Sequence, residues 1–343
     1  MIRIQNIYYM LAYAFQVLHE QGYKDVATED FENTAELLSA ILCRGVSVQI
    51  KRGLCRQYIT NEEPLGSPRG KIEIGESIKT QAIRKKQLVC AYDEFSVDAY
   101  TNRIIKTTME LLLRANISKT RKKEIRKLLI FFDGVSVLDT RSINWDIQYD
   151  RNNQTYRMII EVCHLVIKGL LQTSADGSTR IMDYADDQTM AKLYEKFILG
   201  YFQREHTDIK AYSPQIAWQV IDGYRTLLPT MQSDIVISNK KTKKTLIIDA
   251  KYYSHNMQMK APYMTQTLHS GNLYQIFTYV KNWNAAPDET ISGMLLYART
   301  DDAIQPDNDY QMSGNQISVK TLDLNCEFAV IAAQLDAIAD SIK

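Results

Sequence analysis

The stretch Leu228-Pro229-Thr230-Met231-Gln232-Ser233-Asp234-Ile235-Val236-Ile237, followed by Thr245-Leu246-Ile247-Ile248-Asp249-Ala250-Lys251-Tyr252-Tyr253, reads as two apolar strands. The polar run from Asn239 to Lys244 joins them as a turn. Three charged residues interrupt the apolar pattern: Asp234, Asp249 and Lys251. If the hairpin closes symmetrically about Lys241-Thr242, Ser238 faces Thr245 and Asp234 faces Asp249. Directly opposed strand residues have Cβ atoms about 4.5–5.5 Å apart, close enough for two carboxylates to reach one cation. Asp249 and Lys251 are two residues apart and share one face of the sheet, while Ala250 points the other way.

Two carboxylates held together without a counter-charge repel, and one must take up a proton. A hard divalent cation removes the conflict, because Mg²⁺ takes a few carboxylate oxygens and keeps several waters for substrate phosphate. Asp234 and Asp249, joined by the Ala250 carbonyl, are the expected ligands; Mn²⁺ is the expected substitute. Lys251 is placed to orient a nucleophile or to offset charge on a pentavalent phosphate. An Asp-x-Lys triplet on a surface strand is commonly a plain ion pair, but here it follows Leu246-Ile247-Ile248, and buried strands seldom tolerate unpaired charge. The pattern is that of a phosphodiesterase.

A chain of 343 residues exceeds the usual size of a single core. The irregular polar stretch Asp133 to Asn153 suggests a division into domains 1–150 and 151–343, the first α+β and the second α/β. Lys and Arg number 41 against 40 acids, so any nucleic-acid surface must be local. Basic clusters occur at Arg84-Lys85-Lys86, at Lys119 with Arg121-Lys122-Lys123, and at Lys240 to Lys244. Each can be a solvated helix end or turn; the last is expected to hold its tip beside the candidate site. Five scattered cysteines without Cys-x-x-Cys or His pairing argue against disulfide frameworks and zinc sites. The N-terminal residues lack a signal-peptide pattern and no apolar run reaches membrane-spanning length, so a cytoplasmic location and no membrane contact are expected.

Outward from the hairpin, Asn6 to Leu18 forms a helix with Ile7, Met10, Leu11, Ala14, Phe15 and Leu18 on one face. Its tyrosines read as core. A second helix covers Asn33 to Gln49 and a short strand Arg56 to Thr60. A Gly- and Pro-punctuated loop then ends in Arg69-Gly70-Lys71, where Arg69 and Lys71 are candidate partner contacts. A strand at Gln87 to Val97, a helix to about Ala115, a basic helix from Lys119, and a helix at Tyr156 to Leu171 with a loop at Thr173 to Gly177 complete that region. The helix Gln188 to Glu205 carries Glu195, an ordinary exposed glutamate or a third site carboxylate. In the helix Asn272 to Trp283, Gln275 and Tyr279 lie one turn apart and project from one face toward the site. A strand, a hairpin and a closing helix follow.

These segments together resemble the McrC family, nuclease subunits of the McrBC methylcytosine-dependent restriction system and members of the PD-(D/E)xK superfamily. The resemblance rests on Asn6-Ile7-Tyr8-Tyr9-Met10-Leu11, Arg69-Gly70-Lys71-Ile72, Asn102-Arg103-Ile104-Ile105-Lys106, Leu227-Leu228-Pro229, Asp249-Ala250-Lys251-Tyr252-Tyr253 and Asn272-Leu273-Tyr274-Gln275. Ser233 stands where the superfamily's name has proline. The resemblance implies a restriction-endonuclease-like fold in the C-terminal half, a mixed sheet flanked by helices. It implies cleavage of double-stranded DNA carrying modified cytosine, together with an McrB-like AAA+ GTPase ring that the N-terminal half binds and stimulates. Association between copies of the chain within that complex is part of the same picture. The chain has no Gly-rich Lys-Ser/Thr phosphate loop, so GTP chemistry would come from elsewhere. Two other readings remain open at this stage: a non-cleaving module that only activates the ring, and a standalone nuclease without modification dependence.

Overall fold

The computed structural model describes residues 2–16, 31, 33–149, 153–176, 187–221, 224, 226–260 and 265–343. Two units emerge, Leu38–Leu171 and, together, Met1–Leu37 with Gln172–Lys343. The expected division at residue 150 differs from this partition, because helix α1 (Ile4–Ala14) belongs with the C-terminal segment. Leu18, Asp150-Arg151-Asn152 and Gly177, which entered the sequence reading, lie outside the described residues.

The unit Leu38–Leu171 holds most of helix α2 (Thr34–Arg52) and a three-stranded sheet, β1 (Gln57–Leu65), β2 (Lys71–Ile72) and β3 (Leu88–Ser96), in the order β1-β3-β2. β1 runs past the expected Thr60 through Glu62-Glu63-Pro64. It is an edge strand, where a proline need not donate a ladder hydrogen bond. Between the sheet strands lies α3 (Ile74–Lys79), and α4 (Tyr100–Leu112), α5 (Lys119–Leu129) and α6 (Arg157–Asp176) follow β3. α6 continues through Thr173, where a loop was expected.

Two of the shared sequence motifs prove structural in this unit. Gly70 has φ +72°, and a Cβ there would lie 2.3 Å from the Ala91 carbonyl oxygen, so the Arg69-Gly70-Lys71 turn requires glycine. In the Asn102-Arg103-x-x-Lys106 motif, Asn102 donates to the Cys55 and Val97 carbonyls, both at 2.8 Å. Arg103 clasps Asp98 at 2.7 Å, and Lys106 donates to the Val135 carbonyl at 2.6 Å.

In the other unit, α1 packs on α7 (Asp187–Glu205) so closely that a Cβ on Gly200 would lie 2.3 Å from the Tyr13 carbonyl oxygen. Asn6, buried, donates to the Leu324 and Cys326 carbonyls, and the Tyr13 hydroxyl donates to Glu205 at 3.0 Å. These contacts are why the N-terminal helix joins the C-terminal segment. Tyr8 and Tyr13 are core residues, as the sequence suggested.

The strands of this unit are β4 (Lys210–Tyr212), β5 (Gln215–Ile216), β6 (Met231–Gln232), β7 (Ile235–Asn239), β8 (Lys244–Lys251), β9 (Gln258–Lys260) and β10 (Thr265–Thr267). Helix α8 (Ser270–Asn282), β11 (Thr290–Ala298), β12 (Asn308–Met312), β13 (Asn315–Leu322) and α9 (Phe328–Asp340) complete it. Six strands form a mixed sheet in the order β12-β13-β11-β8-β7-β4, with β11 parallel to both β8 and β13. Strands β5 and β6 pair separately. The first apolar strand of the sequence is thus two strands, broken at Ser233-Asp234, where the buried Ser233 donates its N–H to the Pro214 carbonyl.

α8 lays Ile276, Tyr279 and Val280 over Val236, Ile247, Leu295 and Val319, and α7 packs against β4, β7 and β8. Sandwiched in this way, β8 is buried along both faces from Thr245 to Ala250, which explains its continuous apolar run. The architecture is α/β, a mixed sheet between helices. Among the described residues no helix is long and apolar enough to cross a membrane.

Candidate active site

The β7–β8 ladder pairs Ser238 with Thr245 and Ile235 with Ile248, the register read from the sequence. Asp234 stands one residue beyond the last ladder pair and turns its carboxylate onto the facing strand, where Oδ2 accepts the Ala250 N–H at 2.8 Å. Asp249 is fully buried, and Lys251 Nζ reaches its Oδ2 at 2.7 Å. The same ammonium donates to Gln275 Oε1 at 3.2 Å, Gln275 Nε2 donates to the Tyr279 hydroxyl at 2.8 Å, and that hydroxyl donates to the Gln232 carbonyl at 2.9 Å. A continuous chain therefore joins Asp249 through Lys251, Gln275 and Tyr279 to the segment that leads into Asp234. The five candidate catalytic residues occupy one site.

Burial sets its electrostatics. It raises the Asp249 carboxyl well above the usual carboxylate range, with the Lys251 ammonium opposing and the Asp234 charge adding to the rise. Asp234 is raised by burial as well, against the Ala250 N–H and Lys251. Burial pulls the Lys251 ammonium down, but Asp249 and Asp234 outweigh it, so the lysine is held charged.

Glu195 on α7 joins this group. Its carboxyl is pushed up to about 7, first by burial and then by the charge of Asp234, with Asp249 adding. Of the two readings open in the sequence, a plain exposed glutamate is excluded: the residue is half-buried in the field of the acid pair. Among the described residues no three His, Cys, Asp or Glu side chains come together as a group that could hold a metal ion.

The donor set fits a hard cation. Both Asp249 oxygens are buried and, apart from the ion contact with Lys251, lie outside hydrogen-bond geometry with any donor. Asp234 and Asp249 share one close ammonium, Lys251, an excess of negative charge that a divalent ion balances.

A supporting network went unread in the sequence. Asn272, on α8 one turn before Gln275, accepts from the Tyr253 hydroxyl at 3.2 Å and donates to the Tyr297 hydroxyl at 2.9 Å. Tyr297 is the ladder partner of Lys251 on β11 and Tyr253 lies two residues after it, so Asn272 ties the helix to the residues beside and across from the lysine. Asn272 was legible as a same-face neighbour of Gln275; nothing local marks Tyr297.

One expectation fails. The basic turn Lys240 to Lys244 is at the far end of the hairpin, its first lysine six residues beyond Asp234 past the end of β7, or roughly 20 Å. Its residues are spent elsewhere: Lys243 pairs with Asp288, Thr242 donates to the Ile342 carbonyl at 2.6 Å and Lys244 to the Ser341 carbonyl at 3.3 Å. Strand direction alone places an acid at the start of β7 away from the turn that ends it. Of the two histidines beside the connection after β8, His255 pairs with Asp302 at 2.9 Å and His269 lies 5.2 Å from the Tyr253 ring; neither is in the acid–lysine chain.

Comparison with known proteins completes the assignment. Residues 4–298 match the family described as McrBC 5-methylcytosine restriction system component. The chain belongs to this McrBC component family. It is 30% identical over 347 aligned residues to the type IV methyl-directed restriction enzyme EcoKMcrBC of Escherichia coli K12, covering 99% of this chain and 97% of that one. Among solved structures, a half-complex of Thermococcus gammatolerans McrB AAA+ hexamers with bound McrC aligns at 16% identity and TM-score 0.49, covering 99% of this chain and 76% of the other. A second T. gammatolerans McrBC structure aligns at 19% identity and TM-score 0.37, covering 49% of this chain and 56% of the other. McrBC membership makes this chain a restriction-system component.

Proposed function

We propose that the chain is the DNA-cleaving subunit of its restriction system, a Mg²⁺-dependent endodeoxyribonuclease acting on DNA with modified cytosine, with Mn²⁺ able to replace Mg²⁺. The observation that carries this reading is the convergence of Asp234, Asp249 and Lys251 on one buried spot, with Gln275 and Tyr279 behind the lysine. Asp234, Asp249 and the Ala250 carbonyl would hold the cation. When bound, it supplies an acidified water and a charge clamp on the scissile phosphate.

The protein's own contribution is positional. Asp249 and Gln275 hold the Lys251 ammonium from two sides, so it meets a phosphate oxygen without reorganising. Tyr279, donating to the Gln232 carbonyl, receives the Gln275 amide and thereby leaves Gln275 Oε1 facing the lysine. The Ala250 N–H, spent on Asp234, fixes that carboxylate across the strand break.

The family is a component of a restriction system, and the chain itself has no nucleotide-phosphate loop. We assign as its partner an McrB-like AAA+ ring, as named with McrC in the Thermococcus gammatolerans complex, and expect that ring to hydrolyse GTP. Arg69 and Lys71 are the contacts proposed for it. Both are exposed, Arg69 stacked over Tyr92 at 4.3 Å and Lys71 paired with Glu73 at 2.5 Å.

The test is reconstitution with the neighbouring AAA+ protein, GTP and Mg²⁺ on methylated and unmodified DNA. Cleavage confined to methylated DNA and abolished by Asp249→Asn supports the proposal. Stimulated GTP hydrolysis without any nicking by the wild-type chain would overturn it in favour of an activating module, and robust cutting of plain DNA by the isolated chain in favour of a standalone nuclease.

A further inference from the structure

Helix α5 carries a strongly cationic face. Lys119, Lys122, Lys123, Arg126 and Lys127 recur at the spacing i, i+3, i+4, i+7, i+8, which puts five cations on one helical face. The opposite face buries Ile125 and Leu128. Like charges three or four residues apart repel, and five such neighbours occur here: 119/122, 119/123, 122/126, 123/126 and 123/127. The first turn carries no acid to match the positive end of the helix dipole. Glu124, the one acid of the helix, is taken by Arg121 at 2.7 Å, and none of the five stripe cations pairs with a carboxylate among the described residues. Lys119, Lys123, Arg126 and Lys127 are exposed and Lys122 half-buried.

We infer that this face of α5, on the unit that does not hold the candidate active site, is a contact for the sugar-phosphate backbone of duplex DNA. The inference rests on the reading of DNA as the substrate. The stripe spans about 12 Å at the helical rise, enough to meet about three phosphates of one strand at roughly 3.4 Å of axis each. From Lys119 to Lys127 the stripe is evenly cationic with no apolar or aromatic side chain among the charges, and the exposed Ile130 and Phe131 follow only beyond its end, whereas a protein partner is gripped by anchors within the contact. Because the whole chain has a net charge of only +1, attraction to a polyanion must come from local concentrations of this kind. The contact would be insensitive to sequence and sensitive to salt.

The experiment measures binding of the full chain to an unmodified duplex by fluorescence anisotropy, in chelator, over a series of salt concentrations. Replacing all five cations with Gln is expected to weaken binding at least tenfold at low salt. The slope of log affinity against log salt should become shallower by about three, and Tm should be unchanged or higher because repulsion is relieved. Replacing the four lysines with Arg should preserve both affinity and slope. If the fivefold variant fails to fold, the double variant Lys122→Glu with Lys123→Glu decides on the same readouts. Unchanged affinity and slope would overturn the inference, as would a wild-type chain without salt-dependent binding. So would loss of AAA+ partner association with DNA affinity intact, which would assign the stripe to an acidic protein surface. Failure of the nuclease reading shows separately, as undiminished cleavage by Asp249→Asn in the reconstituted complex.

Discussion

Two of the antiparallel strand pairs in this molecule treat their charged residues in opposite ways. On β1 and β3 the acids are exposed and answered by neighbours across the ladder: Thr60 donates to Asp93 at 2.7 Å, Asn61 to Glu94 at 2.9 Å and Tyr92 to Glu63 at 2.5 Å. On β8 the one acid, Asp249, is fully buried beside a single lysine, and Asp234 is half-buried just before β7. The first pair shows ordinary surface chemistry, where solvent screens each charge and each interaction contributes little. The second places charge at a cost that burial does not offset, which is the condition in which a strand acid signals a site.

Breaking the buried side should have the largest effect. Lys251→Ala is expected to lower cleavage by the reconstituted complex by on the order of 10²–10³-fold, with stimulation of partner GTP hydrolysis retained; cleavage near the wild-type rate would remove the contrast between the two strand pairs. One step out, Gln275→Ala should cost about 10–100-fold in cleavage with Tm nearly unchanged, since the lysine keeps Asp249 but loses its second anchor.

The contrast also has a pH signature. Asp249, Asp234 and Glu195 have folded-state pKa values above their unfolded ones, Glu195 at about 7. Between the unfolded value and the raised one the native state binds more protons, so stability falls as pH rises from about 4 to about 7. In chelator, denaturant titrations should show a loss on the order of 1–2 kcal/mol across this window, discounted for the solvent screening of half-buried Glu195. Divalent cation should restore it, and Asp249→Asn should flatten it. A flat profile in the wild-type chain would mean the acids are not in conflict. The smallest effect belongs to the exposed pair: Thr60→Ala should move stability by no more than about 0.5 kcal/mol, measured by the same titration.

Legibility followed range along the chain. The hairpin register and the shared face of Asp249 and Lys251 were readable because a strand alternates with period two and a short turn fixes pairing. Gln275 and Tyr279 were readable as one-turn neighbours on a helix. Other features were not. The motif Asn102-Arg103-x-x-Lys106 has the residue types of a functional constellation, yet its donors are spent on Cys55, Val97, Asp98 and Val135, partners identified only once the chain is folded. Glu195 could be listed but not placed, because helix orientation against a sheet is a packing outcome. Conversely, the basic turn drew weight from closeness in sequence to Asp234, although strand direction carries it to the other end of the hairpin.

By itself, then, the sequence determined the α/β class of the C-terminal segment, the register of β7 on β8, and the grouping of two acids and a lysine, since all three follow from local periodicity and turn closure. Only the tertiary structure decided that α1 belongs with the C-terminal segment, that Asn272 links α8 to Tyr253 and Tyr297 around the lysine, and that Glu195 lies in the field of the acid pair. Those are contacts between residues tens to hundreds of positions apart, set by how the helices pack on the sheet, and no short-range pattern encodes them.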